Sequence, residues 1–235
     1  MKTSDSPDVT NIDWSFYMRL KQSGRVGHAG AYLRGRKRRA RFESIPDNIV
    51  VHDLSKGIPF PDSSVDAVYH SHLLEHLDRP VATQFIREVR RVLKPGGRQR
   101  IVVPDLERLC RAIVEHLKAC ADPPQRSRHD DLVAALLEQA VRRESAATRG
   151  RRGPFVTLER LMIGDARRRG ETHQWMYDWA NLTALLEAAG FDAVRTLDHL
   201  SSEIPDWSSY GLDLDETGGE HKPGSLYIEA RATGE

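Results

Sequence analysis

The feature that most constrains this chain is the alternation of short apolar runs with one helical stripe between residues 48 and 105. Ile49-Val50-Val51 is an apolar run that stops at His52-Asp53. Val65-Asp66-Ala67-Val68-Tyr69 alternates with period two and reads as a strand. From Thr83 to Leu93 the apolar residues fall at 85, 86, 89, 92 and 93, the stripe of a helix packed on a sheet. Pro95-Gly96-Gly97 stops that helix, Arg100 to Val103 is the next strand, and Pro104-Asp105 leaves it. Strands alternating with helices predict parallel βαβ units and an α/β fold. In open sheets of this kind, ligands bind beyond the carboxyl ends of the strands.

The flanking segments are read more simply. Residues 1–12 are polar and predict a loose tail, and Trp14 to Leu20 predicts a short amphipathic helix. Ser23 to Gly30 is glycine-rich. Arg34 to Arg41 has six basic residues in eight positions, either a solvated face or a site for an acidic partner. Residues 1–46 are therefore expected to form an atypical helical and basic segment ahead of a domain spanning 47–235. Three helical stretches fill residues 106–170, an insertion expected to act as a lid. Trp179 to Ala189 predicts a helix with Gly190 beyond its end. Ala193 to Leu197 and Ser225 to Ala230 predict a closing antiparallel hairpin.

Composition excludes several classes. A chain of 235 residues with 39% hydrophobic and 29% charged residues buries an ordinary globular core. Its formal net charge of +1 gives no field toward nucleic acid or an anionic membrane. No apolar run is long enough to span a bilayer. Cys110 and Cys120 lie ten residues apart in one helical stretch, roughly 15 Å at 1.5 Å per residue, too far to bridge. A reduced, cytoplasmic protein is expected.

The block HDLSKGIPFPDSSVDAVYHSHLLEHLDRP followed by FIREVRRVLKPGGRQRIVVPD resembles the type 11 branch of the class I S-adenosylmethionine (SAM)-dependent methyltransferases. The likeness continues in HQWMYDWANLTALLEAAGF and KPGSLYIE. It implies a Rossmann-like methyltransferase sheet, SAM as cofactor, and methyl transfer to an oxygen or nitrogen of a small molecule or glycan. It implies that Asp53 receives the adenine amino group, that the Leu54 N–H meets the ring, and that the loop after Tyr69, with His70, lies under the sulfonium. His72 is the candidate general base, a role that suits a neutral imidazole. Asp105, His173, Trp175 and Tyr177 are candidates for the acceptor pocket, with capping for Asp105 and core packing for the other three left open.

The family's Gly-rich turn after its first strand, and the ribose-binding acid about twenty residues on, are not recognisable. Gly24, Gly27 and Gly30 are the nearest glycines. The sheet is thus expected to lack its first two strands. A catalytically inactive methyltransferase-like binding module or partner subunit is the alternative, with a homodimer or a heteromeric partner expected from exposed sheet edges. A metal-dependent hydrolase using His70, His72 and His76 is a third reading; no metal is expected on the first two.

Overall fold

A computed structural model describes residues 3–13, 49–120, 123–140 and 173–234. The basic run at 34–41, the Gly24/Gly27/Gly30 loop, the helix expected at 14–20 and the last helix of the insertion lie outside these residues.

Among the described residues, six strands form two sheets. β1 (Asn11–Asp13) pairs in parallel with β2 (Ile49–Val51), with Ile12 opposite Val50. β3 (Val65–Ser71), β4 (Leu93–Pro104), β5 (Phe191–Leu197) and β6 (Ser225–Ala232) form a four-stranded sheet in the order β3-β4-β6-β5. The β3–β4 pair is parallel, and β6 runs antiparallel to both β4 and β5. The mixed α/β architecture and the closing antiparallel pair are as expected.

The N-terminal expectations need correction. The first residues are not a loose tail, since Ser4 is buried and bonds through its backbone to the Asn11 side chain. Nor are both early strands lost, because β1 stands beside β2. A three-residue strand with one apolar side chain, Ile12, is too short to register as a period.

The core is laid down by period-two alternation. Ile101 and Val103 of β4, with Leu226, Ile228 and Ala230 of β6, point to one face. Against it pack α1 (Arg79–Val92), through Phe85, Ile86, Val89 and Val92, and α4 (Trp179–Glu187), through Leu182 and Leu186. α1 carries Pro80 in its first turn and Arg90 and Arg91 in its last, where cations favour the helix dipole. α4 begins with a capping box between Asp178 and Asn181.

Arg91 explains why the PFPD and RRVLKPGG motifs occur together. Its guanidinium donates to the Ile58 and Phe60 carbonyls and pairs with Asp62 and Glu88. That fixes the loop between β2 and β3 to the end of α1. The strand after α1 begins at Leu93, earlier than expected, so Lys94 to Gly97 lies within β4 and not in a separate turn. Gly97 is required there, since a Cβ would sit 2.9 Å from the Lys94 carbonyl oxygen and 3.0 Å from that of Asp66.

The opposite face is polar at its centre. Arg100 is fully buried, 2.7 Å from both Asp213 and Glu229, and donates to the Ser201 and Asp198 carbonyls. Asp213 also accepts from the Tyr69 hydroxyl and the Trp207 indole N–H. Burial and the Asp213 charge push the Tyr69 hydroxyl pKa up, so Tyr69 remains a donor. Trp207 opens the one-turn α5 (Trp207–Tyr210), which packs with Ile204 and Leu212 over this network.

α2 (Leu106–Ala119) and α3 (Pro123–Ala140) pack against each other as the described part of the insertion. Among the described residues, no helix is long and apolar enough to cross a membrane.

Candidate active site

A cavity of about 2250 Å³ runs between the two sheets. On one side it is lined by all three residues of β1 and by Asp53 and Leu54; on the other it follows β3 from Val65 to Ser71 and continues to His72. Within the described residues β1 pairs only with β2, and β3 only with β4. The cavity thus occupies the space between two strand edges, at the carboxyl ends where α/β folds collect ligands.

Two carboxylates mark one end. Asp13 closes β1, and its carbonyl accepts from the His52 N–H just after β2. Asp53 is the next residue, and its carbonyl accepts from the Lys56 N–H, starting the short 3-10 turn Leu54–Lys56. Adjacent parallel strands therefore deliver Asp13 and Asp53 to the same rim. Asp13 is the site residue that the sequence did not yield. The signal was an Ile-Asp pair whose acid follows a single half-buried apolar residue.

Imidazoles mark the other end. β3 ends at Ser71, and His72 has a left-handed backbone with φ of 50°. Such a conformation in a residue other than glycine is strained and concentrates at functional sites. It also breaks the alternation at the end of β3, where His70 and His72 stand two residues apart. His70 points into the core, with its ring 5.2 Å from that of Phe85 and Nε2 3.2 Å from the Gln99 amide nitrogen. Burial lowers its pKa to about 4.

His72 faces Glu75 through Nδ1 at 3.1 Å and Ser225 Oγ through Nε2 at 3.0 Å. Glu75 is completely buried, and His76 Nε2 lies 3.8 Å from the same carboxylate oxygen. The Glu75 backbone carbonyl accepts from the Gln174 and Trp175 N–H groups, which brings the 173–177 segment alongside. His173 stacks edge-on to His76 with ring centroids 4.8 Å apart, and its Nδ1 meets the Gln139 carbonyl at the end of α3. Glu75, His76 and His173 offer ligand atoms within 4.8 Å of one another, so they could hold a cation. His70 stands outside that group.

The expected acceptor residues divide. His173 lines the cavity with His72, His76 and Gln139. Asp105 caps α2, accepting from the Arg108 N–H. Trp175 is over a third exposed, beneath the Arg79 guanidinium. Tyr177 is buried in the core, where burial pushes its pKa up to about 12. These three are not among the residues lining the cavity.

Residues 4–101 match the family model described as a methyltransferase domain, type 11. The match runs from the β1 region through β2, β3 and α1 into β4, the elements that bound the cavity. Two acids at the ends of neighbouring parallel strands can receive the hydroxyls of a ribose and the amino group of an adenine.

No curated protein matches the chain in sequence. Solved structures similar to it include a SAM-dependent methyltransferase from Methanosarcina mazei, 20% identical, covering 97% of this chain and 82% of that one, with a TM-score of 0.42. A 1,6-didemethyltoxoflavin-N1-methyltransferase from Burkholderia thailandensis is 14% identical over 96% of this chain and 71% of its own, with a TM-score of 0.40. A possible exported protein from Bordetella parapertussis is 15% identical with a TM-score of 0.40; the match covers 95% of this chain and 52% of that protein, so the chain spans about half its length.

Proposed function

We propose that the domain transfers the methyl group of SAM to an oxygen or nitrogen of a small molecule or glycan. The observation that carries this reading is the single cavity joining Asp13 and Asp53 at one end to His72 and His173 at the other. SAM, when bound, supplies an activated sulfonium methyl, so the protein's task is to align the acceptor and remove its proton.

Asp13 would accept from the ribose hydroxyls and Asp53 from the adenine amino group, with the Leu54 N–H beside it. Glu75 would hold the proton on His72 Nδ1, leaving the Nε2 lone pair as the base. Ser225 Oγ, which donates to the Lys222 carbonyl oxygen, stands 3.0 Å from that nitrogen, where an acceptor hydroxyl would approach. His173 and Gln139 would border the acceptor, which links the helical insertion to its binding. A polyol or sugar suits this hydroxyl- and imidazole-lined end.

The test is calorimetric titration of the full chain with SAM and S-adenosylhomocysteine. Binding should be weakened about 10- to 100-fold in Asp13→Ala and in Asp53→Ala, the worth of a hydrogen bond to a charged group. Wild-type binding that neither variant changes would remove these residues from the site.

A second reading, a methyltransferase-like module that binds a partner without turnover, draws on β1 and β3, which within the described residues pair only with β2 and β4. A folded protein that binds neither SAM nor S-adenosylhomocysteine at millimolar concentration would favour it.

A further inference from the structure

We propose that His116, Cys120 and His129 form a transition-metal site of the zinc class, separate from the cofactor cavity, that clamps the helical insertion. His116 and Cys120 are one turn apart on α2, so their side chains share a face. Cys120 Sγ lies 3.7 Å from His116 Nδ1. His129 reaches in from α3, its ring centroid 5.6 Å from that of His116. One ligand atom from each of the three lies within 4.8 Å of the others. Donors around a tetrahedral zinc sit about 3.5 Å apart, given Zn–S and Zn–N lengths of about 2.3 and 2.0–2.1 Å. The His116–Cys120 pair is already near that spacing, and a small side-chain rotation brings in His129.

A second observation points to a ligand. His129 Nδ1 is sealed from solvent and has no hydrogen-bond partner. Buried polar atoms are rarely left so, because each forfeits its hydration without replacement. A bound cation uses an imidazole lone pair directly and turns the other ring nitrogen into a stronger donor. One thiolate and two imidazoles form a soft-to-borderline set that selects zinc over magnesium or calcium. Three protein ligands leave a fourth position for water.

The site also supplies something the insertion lacks. Among the described residues between 106 and 140, none belongs to either apolar core cluster. Val114, Leu117 and Leu137 are each more than half exposed. A helical pair with so little core gains its rigidity from a staple. Gln139, near the end of α3, holds His173 at the cavity, so a clamp on α2 and α3 would steady the acceptor end.

The full chain, stripped with a chelator, is titrated with cobalt(II). About one equivalent should bind, with the visible bands of a tetrahedral ion and a thiolate charge-transfer band, and zinc should displace it. Zinc should raise the Tm in a concentration-dependent way. Cys120→Ser should lose the thiolate band, and His129→Ala should weaken binding at least tenfold, with both variants folded by circular dichroism. No cobalt band in the wild type, or a thiolate band that survives in Cys120→Ser, overturns the proposal. Binding lost in His76→Ala but kept in Cys120→Ser would move the metal to the Glu75 cluster and also overturns it.

Discussion

His72 Nδ1 lies 3.1 Å from Glu75 Oε1, and the carboxylate it faces is wholly shut off from solvent. A carboxylate held at that distance and out of water is placed to orient the imidazole more strongly than a surface acid would. Glu75→Gln keeps the shape and removes the charge. With an acceptor in hand, kcat should fall about 10- to 100-fold while the dissociation constant for SAM stays unchanged; His72→Ala should cost 100-fold or more. Equal kcat in Glu75→Gln and wild type would reduce Glu75 to a packing residue.

Parts of this arrangement could be read from the sequence because they depend on near neighbours. The stripe at Phe85, Ile86, Val89 and Val92 and the Ile101/Val103 strand are periodic, and both lie in the core as expected. Asp53 follows its strand directly and lines the cavity. Asp13 was not legible, since a strand as short as Asn11–Asp13 is specified by its ladder with Ile49–Val51 and not by its own pattern. Arg100 was read only as the start of an apolar strand, because Asp213 and Glu229 lie more than a hundred residues away and nothing local announces them. The left-handed backbone of His72 was hidden for another reason: it follows β3, where the alternation rule assumes the strand goes on.

His70 makes folding sensitive to acid. Its pKa falls to about 4 in the native state through burial, against about 6.5 when unfolded. The unfolded chain therefore binds the extra proton between these values. Stability from the neutral ring is complete above about pH 6.5 and is lost progressively as pH falls toward 4. The loss is on the order of 3 kcal/mol over that window. His70→Gln removes the titration, so urea unfolding at pH 7 and pH 4.5 should show a smaller pH dependence in the variant. An identical dependence would place the acid sensitivity elsewhere.

Arg100 is the centre of a fully buried charge cluster, and breaking it should cost more than it contributes. Arg100→Met leaves Asp213 and Glu229 buried without their cation, a loss of about 3–5 kcal/mol. The Asp198–Asp213 loop should come away from the sheet with it, since Arg100 also holds the Asp198 and Ser201 carbonyls. Chemical denaturation should show the lost stability, and Trp207 fluorescence should report the loosened loop. A variant within 1 kcal/mol of wild type would contradict this assignment of the cluster.

Within the described residues β3 pairs only with β4, and its other edge gives a test of the gap between the sheets. In a parallel ladder successive N–H groups point to opposite edges, so β4 can hold only every second amide of Val65–Ser71. The others face the cavity. Hydrogen exchange resolved by residue should therefore divide these seven amides into two alternating sets, with rates differing by ~100-fold or more. Uniform protection in the purified chain would mean that an extended segment fills the cavity. A mass measurement would then discriminate its source: a dimer assigns the strand to a second copy, and a monomer assigns it to the same chain. With alternating rates instead, the β1 and β3 edges stand open, and SAM should slow exchange chiefly around Asp13, Asp53 and His72, the residues the cavity connects.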